Sequence, residues 1–72
     1  FGIYPNPVKD VLHITTKLTN YSATIYAMDG KLIKTSKASA NHILDYSDLA
    51  PGLYILKLSQ RETLQTFKII KQ

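Results

Sequence analysis

The sequence has neither cysteine nor tryptophan among its 72 residues. Without cysteine, no disulfide and no thiolate metal site can supplement the hydrophobic core. No apolar run approaches the roughly 20 residues of a membrane-spanning helix, and no segment reads as a signal peptide. We therefore expect no direct membrane insertion. Because the sequence starts at Phe1 instead of methionine, we also expect a piece of a longer chain.

The residues that are present suffice for one small domain over residues 1–72. The chain is 44% hydrophobic and 19% charged, which is too apolar for a disordered tail. Its net charge of +4 is spread along the chain, and dispersed charge indicates a solvated surface. Tyr46 and Tyr54 fall on predicted core faces, so only Tyr26 and Tyr21 remain as exposed aromatics, and we expect no nucleic-acid partner.

A hairpin around Asp29-Gly30 is the clearest local pattern. A two-residue type I′ turn needs positive φ at both central residues, and Asp-Gly meets this need at low cost. The alternation on either side predicts strands over residues 22–28 and 31–36. Ala23 and Ile25 then face the core, and Ile33 is favoured over Leu32 across the turn.

Period-two alternation predicts five further strands, over residues 1–4, 11–16, 42–46, 53–59 and 64–71. No segment predicts a helix. The fold class that follows is all-β, a small antiparallel immunoglobulin-like β-sandwich of about seven strands, without the Cys–Trp–Cys signature. The remaining predicted core positions are Val8, Leu12, Ile14, Leu44, Tyr46, Leu49, Tyr54, Leu56, Leu58, Phe67 and Ile69.

Prolines and glycines mark two bends. Pro5 and Pro7 lack an N–H, so the segment Tyr4-Pro5-Asn6-Pro7 cannot be a central strand and reads as a rigid kink at a sheet edge. Pro51-Gly52 suits the middle of a type II turn, which needs positive φ at Gly52.

No catalytic or metal-binding set stands out. His13 and His42 lack partners at metal-ligand spacing. Asp45 and Asp48 could hold a weak calcium ion, although calcium takes six or more oxygens. Ser47 with Asp48 and His42 contains the residue types of a triad, but adjacent residues in a short loop rarely supply the required base and oxyanion hole. We expect neither an enzyme nor a cofactor.

Several markers occur together in the order of one known module. They are Tyr4-Pro5-Asn6-Pro7, Ile25-Tyr26, Gly30, Leu49, Gly52-Leu53-Tyr54 and the basic ending Lys68-Ile69-Ile70-Lys71-Gln72. In this ordered set the chain resembles the type A C-terminal sorting domains of the type IX secretion (Por secretion) system of Bacteroidetes-type bacteria. The resemblance covers essentially the whole sequence. Ala27 departs from it, since the family often places an acidic residue there.

The resemblance implies a non-catalytic signal that directs a larger parent protein across the outer membrane. The implied partners are the type IX translocon, an outer-membrane shuttle protein and a sortase-like surface protease. The parent would pass through the periplasm and then be cleaved and attached at the cell surface or released. The positions that the resemblance assigns to signal recognition are Lys68, Ile69, Ile70, Lys71 and Gln72.

Two alternatives stay open. One is an accessory carbohydrate-binding β-sandwich module, which would need a planar row of exposed aromatics built on Tyr21 and Tyr26. The other concerns the last strand: its edge could offer unpaired backbone groups to a receptor strand, or Lys68 and Lys71 could simply protect that edge from pairing.

Overall fold

Seven β-strands and no helix make up the computed structural model, which describes residues 1–72. The strands are β1 (Gly2–Tyr4), β2 (Val11–Thr15), β3 (Tyr21–Ala27), β4 (Leu32–Ala38), β5 (His42–Asp45), β6 (Gly52–Gln60) and β7 (Thr63–Lys71). Their bounds agree with the predicted ones to within two residues at each end. The structure offers no helix that is long and apolar enough to cross a membrane.

The strands form two antiparallel sheets. One sheet has three strands in the order β1-β2-β5, and the other has four in the order β4-β3-β6-β7. Every neighbouring pair is antiparallel. This arrangement confirms the predicted all-β fold, a small β-sandwich of seven strands.

The core consists of aliphatic side chains and two tyrosines, and no polar or charged residue is buried. Its buried members come from both sheets, from the bend before β2 and from the position after β5: Val8, Leu12, Ile14, Tyr21, Ala23, Ile25, Ala38, Leu44, Tyr46, Leu56, Leu58 and Ile69. Ile33, Leu49, Tyr54 and Phe67 pack against this cluster. The preference for Ile33 over Leu32 is confirmed, since Leu32 is 53% exposed.

Tyr21 corrects one prediction, because it is buried and not exposed. Its hydroxyl donates a hydrogen bond of 2.6 Å to the Ala40 carbonyl, and the Phe1 ring packs edge-on at 5.2 Å. The polar tip is satisfied by the loop before β5, so the aromatic body can join the core.

The central hairpin also differs from its prediction. Gly30 N–H donates to the Ala27 carbonyl at 3.0 Å, and Ala27 N–H donates to the Lys31 carbonyl at 2.9 Å. Gly30 has φ +93°, whereas Asp29 does not have a positive φ. The loop therefore spans three residues, 28–30, as a turn closed by a glycine bulge, and the two-residue type I′ turn is wrong. Asp29 instead accepts a hydrogen bond from Lys31 N–H through its side chain, at 3.0 Å.

Gly52 is the other glycine whose conformation is constrained. Its φ is +153°, so the predicted positive value is confirmed. It does not lie within the turn, however: it is the first residue of β6 and pairs with Lys71.

Candidate functional site

The residues assigned to signal recognition lie at the end of the outermost strand of the larger sheet. β7 pairs with β6 along its whole length, from Gln60 opposite Thr63 to Gly52 opposite Lys71. No β-strand lies on the other side of β7. The prediction that the last strand is an edge strand is therefore confirmed.

The chain before β2 nevertheless covers half of this edge. Val8 forms an isolated parallel bridge with Lys71. Val8 N–H donates to the Ile70 carbonyl at 2.7 Å, and Gln72 N–H donates to the Val8 carbonyl at 2.8 Å. The Val8 side chain is completely buried. We call residues 5–8 the strap, because they are held against the end of β7 by both hydrogen bonds and the core.

Asn6 extends the strap by two more hydrogen bonds. Its Nδ2 donates to the Lys68 carbonyl at 2.9 Å, and its Oδ1 accepts from Ile70 N–H at 3.0 Å. A primary amide carries a carbonyl oxygen that accepts and N–H groups that donate. The side chain of Asn6 therefore pairs with β7 as the N–H and C=O of one residue in an added strand would.

The strap removes the free backbone groups that strand addition would need at this end. Four backbone groups that point away from β6 already form hydrogen bonds with the strap. They are the carbonyl of Lys68, the N–H and the carbonyl of Ile70, and the N–H of Gln72. The expectation that residues 68–72 present an unpaired edge is therefore wrong. The direction of the backbone N–H and C=O groups alternates along a strand, so those of Leu64 and Thr66 also point away from β6. These two residues lie beyond the strap, and no strand pairs with them on that side.

The side chains at this end of β7 fall on different surfaces. Ile69 is completely buried in the core, and Lys71 on the same side is half-buried. Lys68 and Ile70 point to the opposite side and are exposed, as is Gln72. Of the five assigned residues, only Lys68, Ile70 and Gln72 have exposed side chains that a partner can contact.

The other marker positions divide into two groups. The strap residues and Gly52, which pairs with Lys71, converge on the end of β7. Tyr54 pairs with Ile69 and donates its hydroxyl to the Ala50 carbonyl at 2.6 Å, so it supports this region from the core side.

Tyr4 and Gly30 lie elsewhere. The ring of Tyr4 stacks on His13 in the three-stranded sheet, with centroids 5.0 Å apart. Gly30 lies in the β3–β4 hairpin loop. Pattern reasoning missed the pairing of Asn6 with β7, since no local signal connects residues more than 60 positions apart.

The acidic residues considered for calcium or catalysis are engaged with other groups. Asp45 Oδ1 accepts hydrogen bonds from the Ser47 hydroxyl at 2.6 Å and from Ser47 N–H at 2.9 Å. These two bonds, the side-chain one first, hold the pKa of Asp45 below its ordinary value. Asp48 forms an ion pair with Lys34 at 2.7 Å. No three His, Asp or Glu side chains gather as metal ligands would, and the Ser47 hydroxyl donates to a carboxylate and not to a histidine.

Comparison with known proteins gives one finding. A family model described as a secretion system C-terminal sorting domain matches residues 2–72. No curated protein matches the chain. The matched region includes all seven strands, the strap and residues 68–72.

Proposed function

Because the chain belongs to the family of C-terminal sorting domains of the type IX secretion system, we propose that its exposed side chains at the end of β7 are what the export machinery recognises. A domain of this family is a sorting signal and marks its parent as a secreted, outer-membrane or cell-surface protein.

The domain acts without catalysis. It brings its parent from the periplasm to the type IX translocon and engages an outer-membrane shuttle protein. A sortase-like surface protease then removes it, and the parent is attached to anionic lipopolysaccharide or released.

The strap is the observation that supports recognition through side chains. Four hydrogen bonds, two made by the Asn6 side chain and two by the Val8 backbone, hold residues 68–72 against the body of the domain. A segment held in this way presents Lys68 and Ile70 in one conformation, so a partner loses little entropy in ordering it. Strand addition at residues 68–72 would first have to displace the strap, whereas contact with the side chains would not.

The test fuses residues 1–72 behind a periplasmic reporter in a cell with a working type IX system. Deleting residues 68–72 would be uninformative, since it removes the buried Ile69 and the partners of the strap. Lys68→Ala and Ile70→Ala leave the core and the backbone pairing intact. Matched controls are Leu64→Ala and Thr66→Ala, on the same face of the same strand but beyond the strap.

We expect loss of surface delivery for the variants at Lys68 and Ile70 and wild-type delivery for the controls. Retention of the wild-type fusion in the periplasm would overturn the function itself. Equal delivery by all four variants would overturn only the assignment of the site.

The carbohydrate-binding alternative loses one of its two aromatic residues. Tyr21 is buried, so Tyr21 and Tyr26 cannot form a planar row on the surface. Glycan binding that is lost on Tyr26→Ala would still argue for that alternative.

A further inference from the structure

The outer face of the four-stranded sheet carries a continuous set of apolar side chains. Cross-strand pairing places Tyr26, Ile55 and Lys68 side by side on β3, β6 and β7. Leu53 pairs with Ile70 in the next row, and Leu32 flanks Tyr26 on β4. The apolar patch defined by this pairing consists of Tyr26, Leu32, Leu53, Ile55 and Ile70.

Such a face is unusual for a sheet that already covers a core on its other side. In antiparallel sheets of this kind the outer positions are typically polar. Here Leu32, Ile70 and Leu53 are 53%, 48% and 39% exposed, and Met28 at the hairpin tip is 55% exposed. Adjoining exposed apolar residues, as opposed to scattered ones, mark interaction surfaces.

The charge on this face has only one sign. Lys57 pairs across the strands with Thr24, Lys37 with Ser22, and Lys68 with Ile55. None of the five acidic residues of the protein lies in a strand of this sheet. The single salt bridge of the domain uses Lys34, so Lys57 and Lys68 have no carboxylate partner within the domain.

A depression lies beside the patch. Tyr26, Met28, Gly30, Ile55 and Lys57 line most of it, and its volume is ≈ 250 Å³. Lys57 Nζ lies 4.9 Å from the centre of the Tyr26 ring, which holds the ammonium group at the rim. Sites for drug-sized ligands start at about 300 Å³, so this depression suits one side chain of a partner protein.

We propose that the apolar patch, with Lys57 and Lys68, is the docking surface for an acidic protein surface. One apolar side chain of the partner fills the depression beside Tyr26, and its carboxylates pair with the two lysines. A protein surface holds an apolar side chain and carboxylates at fixed positions, whereas a lipid surface fixes the position of neither kind of group. This proposal rests on the proposed function, because Lys68 and Ile70 belong both to the recognised end of β7 and to the docking surface. It extends the recognised surface from β7 to β6 and β3.

The test uses the same reporter fusion with matched pairs of variants. Lys57→Glu should lower surface delivery by about tenfold or more, the effect of roughly 1.4 kcal/mol. Lys37→Glu makes the same charge change on the same face, away from the patch, and should stay within about twofold of wild type. Ile55→Thr should likewise impair delivery, and Leu64→Thr should not. Thermal melting of each variant checks that it is folded.

A second readout identifies the partner. A photo-crosslinking benzophenone amino acid in place of Met28 should join the fusion to a component of the type IX system, identified by mass spectrometry. Lys57→Glu should abolish that product. The same fusion should not bind vesicles of phosphatidylcholine and phosphatidylglycerol in a Lys57-dependent way.

The outcomes separate the two proposals. If Lys68→Ala and Ile70→Ala abolish delivery while Lys57→Glu and Ile55→Thr do not, the proposed function stands and the docking surface is refuted. Vesicle binding that depends on Lys57, without a crosslinked protein, refutes the acidic protein partner. Failure of the wild-type fusion to reach the surface overturns both.

Discussion

Replacing Asn6 tests the two side-chain hydrogen bonds that join the strap near the start of the chain to the end of β7. Asn6→Ala removes the donor to the Lys68 carbonyl and the acceptor for Ile70 N–H. A net hydrogen bond contributes about 0.5–1.5 kcal/mol, and exposed bonds fall at the low end. The expected loss in the free energy of unfolding is therefore about 1–2 kcal/mol, or roughly 4–16 °C in melting temperature for a domain of this size. The strap should stay bound, since Val8 keeps its own two bonds and its burial.

Asn6→Asp separates the two halves of the amide. It keeps an acceptor for Ile70 N–H but turns a second oxygen toward the Lys68 carbonyl, where Nδ2 now donates. We expect the repulsion between this oxygen and the carbonyl to outweigh the retained bond from Ile70 N–H, and so to raise the pKa of the new carboxyl in the folded state above its unfolded value of about 3.9. A group with a raised folded pKa stabilises below the unfolded pKa and loses this contribution as pH rises through the folded pKa. Asn6→Asp should thus recover stability on acidification relative to Asn6→Ala.

Urea unfolding and amide hydrogen exchange measure these effects together. Asn6→Ala should speed exchange of the Ile70 amide, whereas Asn6→Asp should leave that amide protected. Asn41→Ala is a matched control, because Asn41 accepts one exposed hydrogen bond, from Thr16 N–H at 3.2 Å, outside the strap. Wild-type stability and unchanged Ile70 protection in Asn6→Ala would refute the pairing of Asn6 with β7.

Three further predictions concern stability alone. Gly30→Ala should lower the free energy of unfolding by roughly 1–2 kcal/mol, because φ +93° is costly for alanine while its Cβ would meet nothing within 4 Å; an unchanged urea midpoint would contradict this. Tyr46→Phe should raise stability by about 1 kcal/mol, because it removes a buried hydroxyl that has no hydrogen-bond partner. Burial first, and then the charge of Tyr54, raises the pKa of Tyr46, and burial raises that of Tyr21. Since both folded pKa values exceed the unfolded value of about 10, stability should fall as pH rises past about 10, less steeply in Tyr46→Phe than in wild type. Melting temperatures of wild type and Tyr46→Phe from neutral to alkaline pH check both the stability gain and the pH dependence. A loss of stability in Tyr46→Phe at neutral pH would contradict the expected gain.

The strands and most of the core were predictable from local pattern. Leu12 and Ile14, for example, are buried and alternate with exposed or half-buried neighbours, as period-two patterning requires. The choice of Ile33 over Leu32 was also correct. The structure supplies its cause, since the register between β3 and β4 shifts after Ile25 and leaves Ile33 without a ladder partner.

The errors arose where local patterns had more than one physical solution. Asp-Gly fits a two-residue loop with two positive φ values, but it also fits a three-residue loop in which only the glycine needs one. Tyr21 was predicted to be exposed because it was not placed on a core face, whereas a carbonyl 19 positions away accepts a hydrogen bond from its hydroxyl and allows burial.

The sequence by itself determined the all-β class, the strand positions and the apolar stripe of each strand, because these depend on the alternation of neighbouring residues. It also carried the ordered markers of the sorting-domain family. Only the tertiary structure decided what the Pro-Asn-Pro segment and the basic ending do to each other. Asn6 covers the edge of β7 through contacts with Lys68 and Ile70, 62 and 64 positions away. The apolar patch arises in the same way, since three strands must align in register before Tyr26, Ile55 and Ile70 become one surface. Pairing across such separations depends on the folded chain, and no pattern within a single strand encodes it.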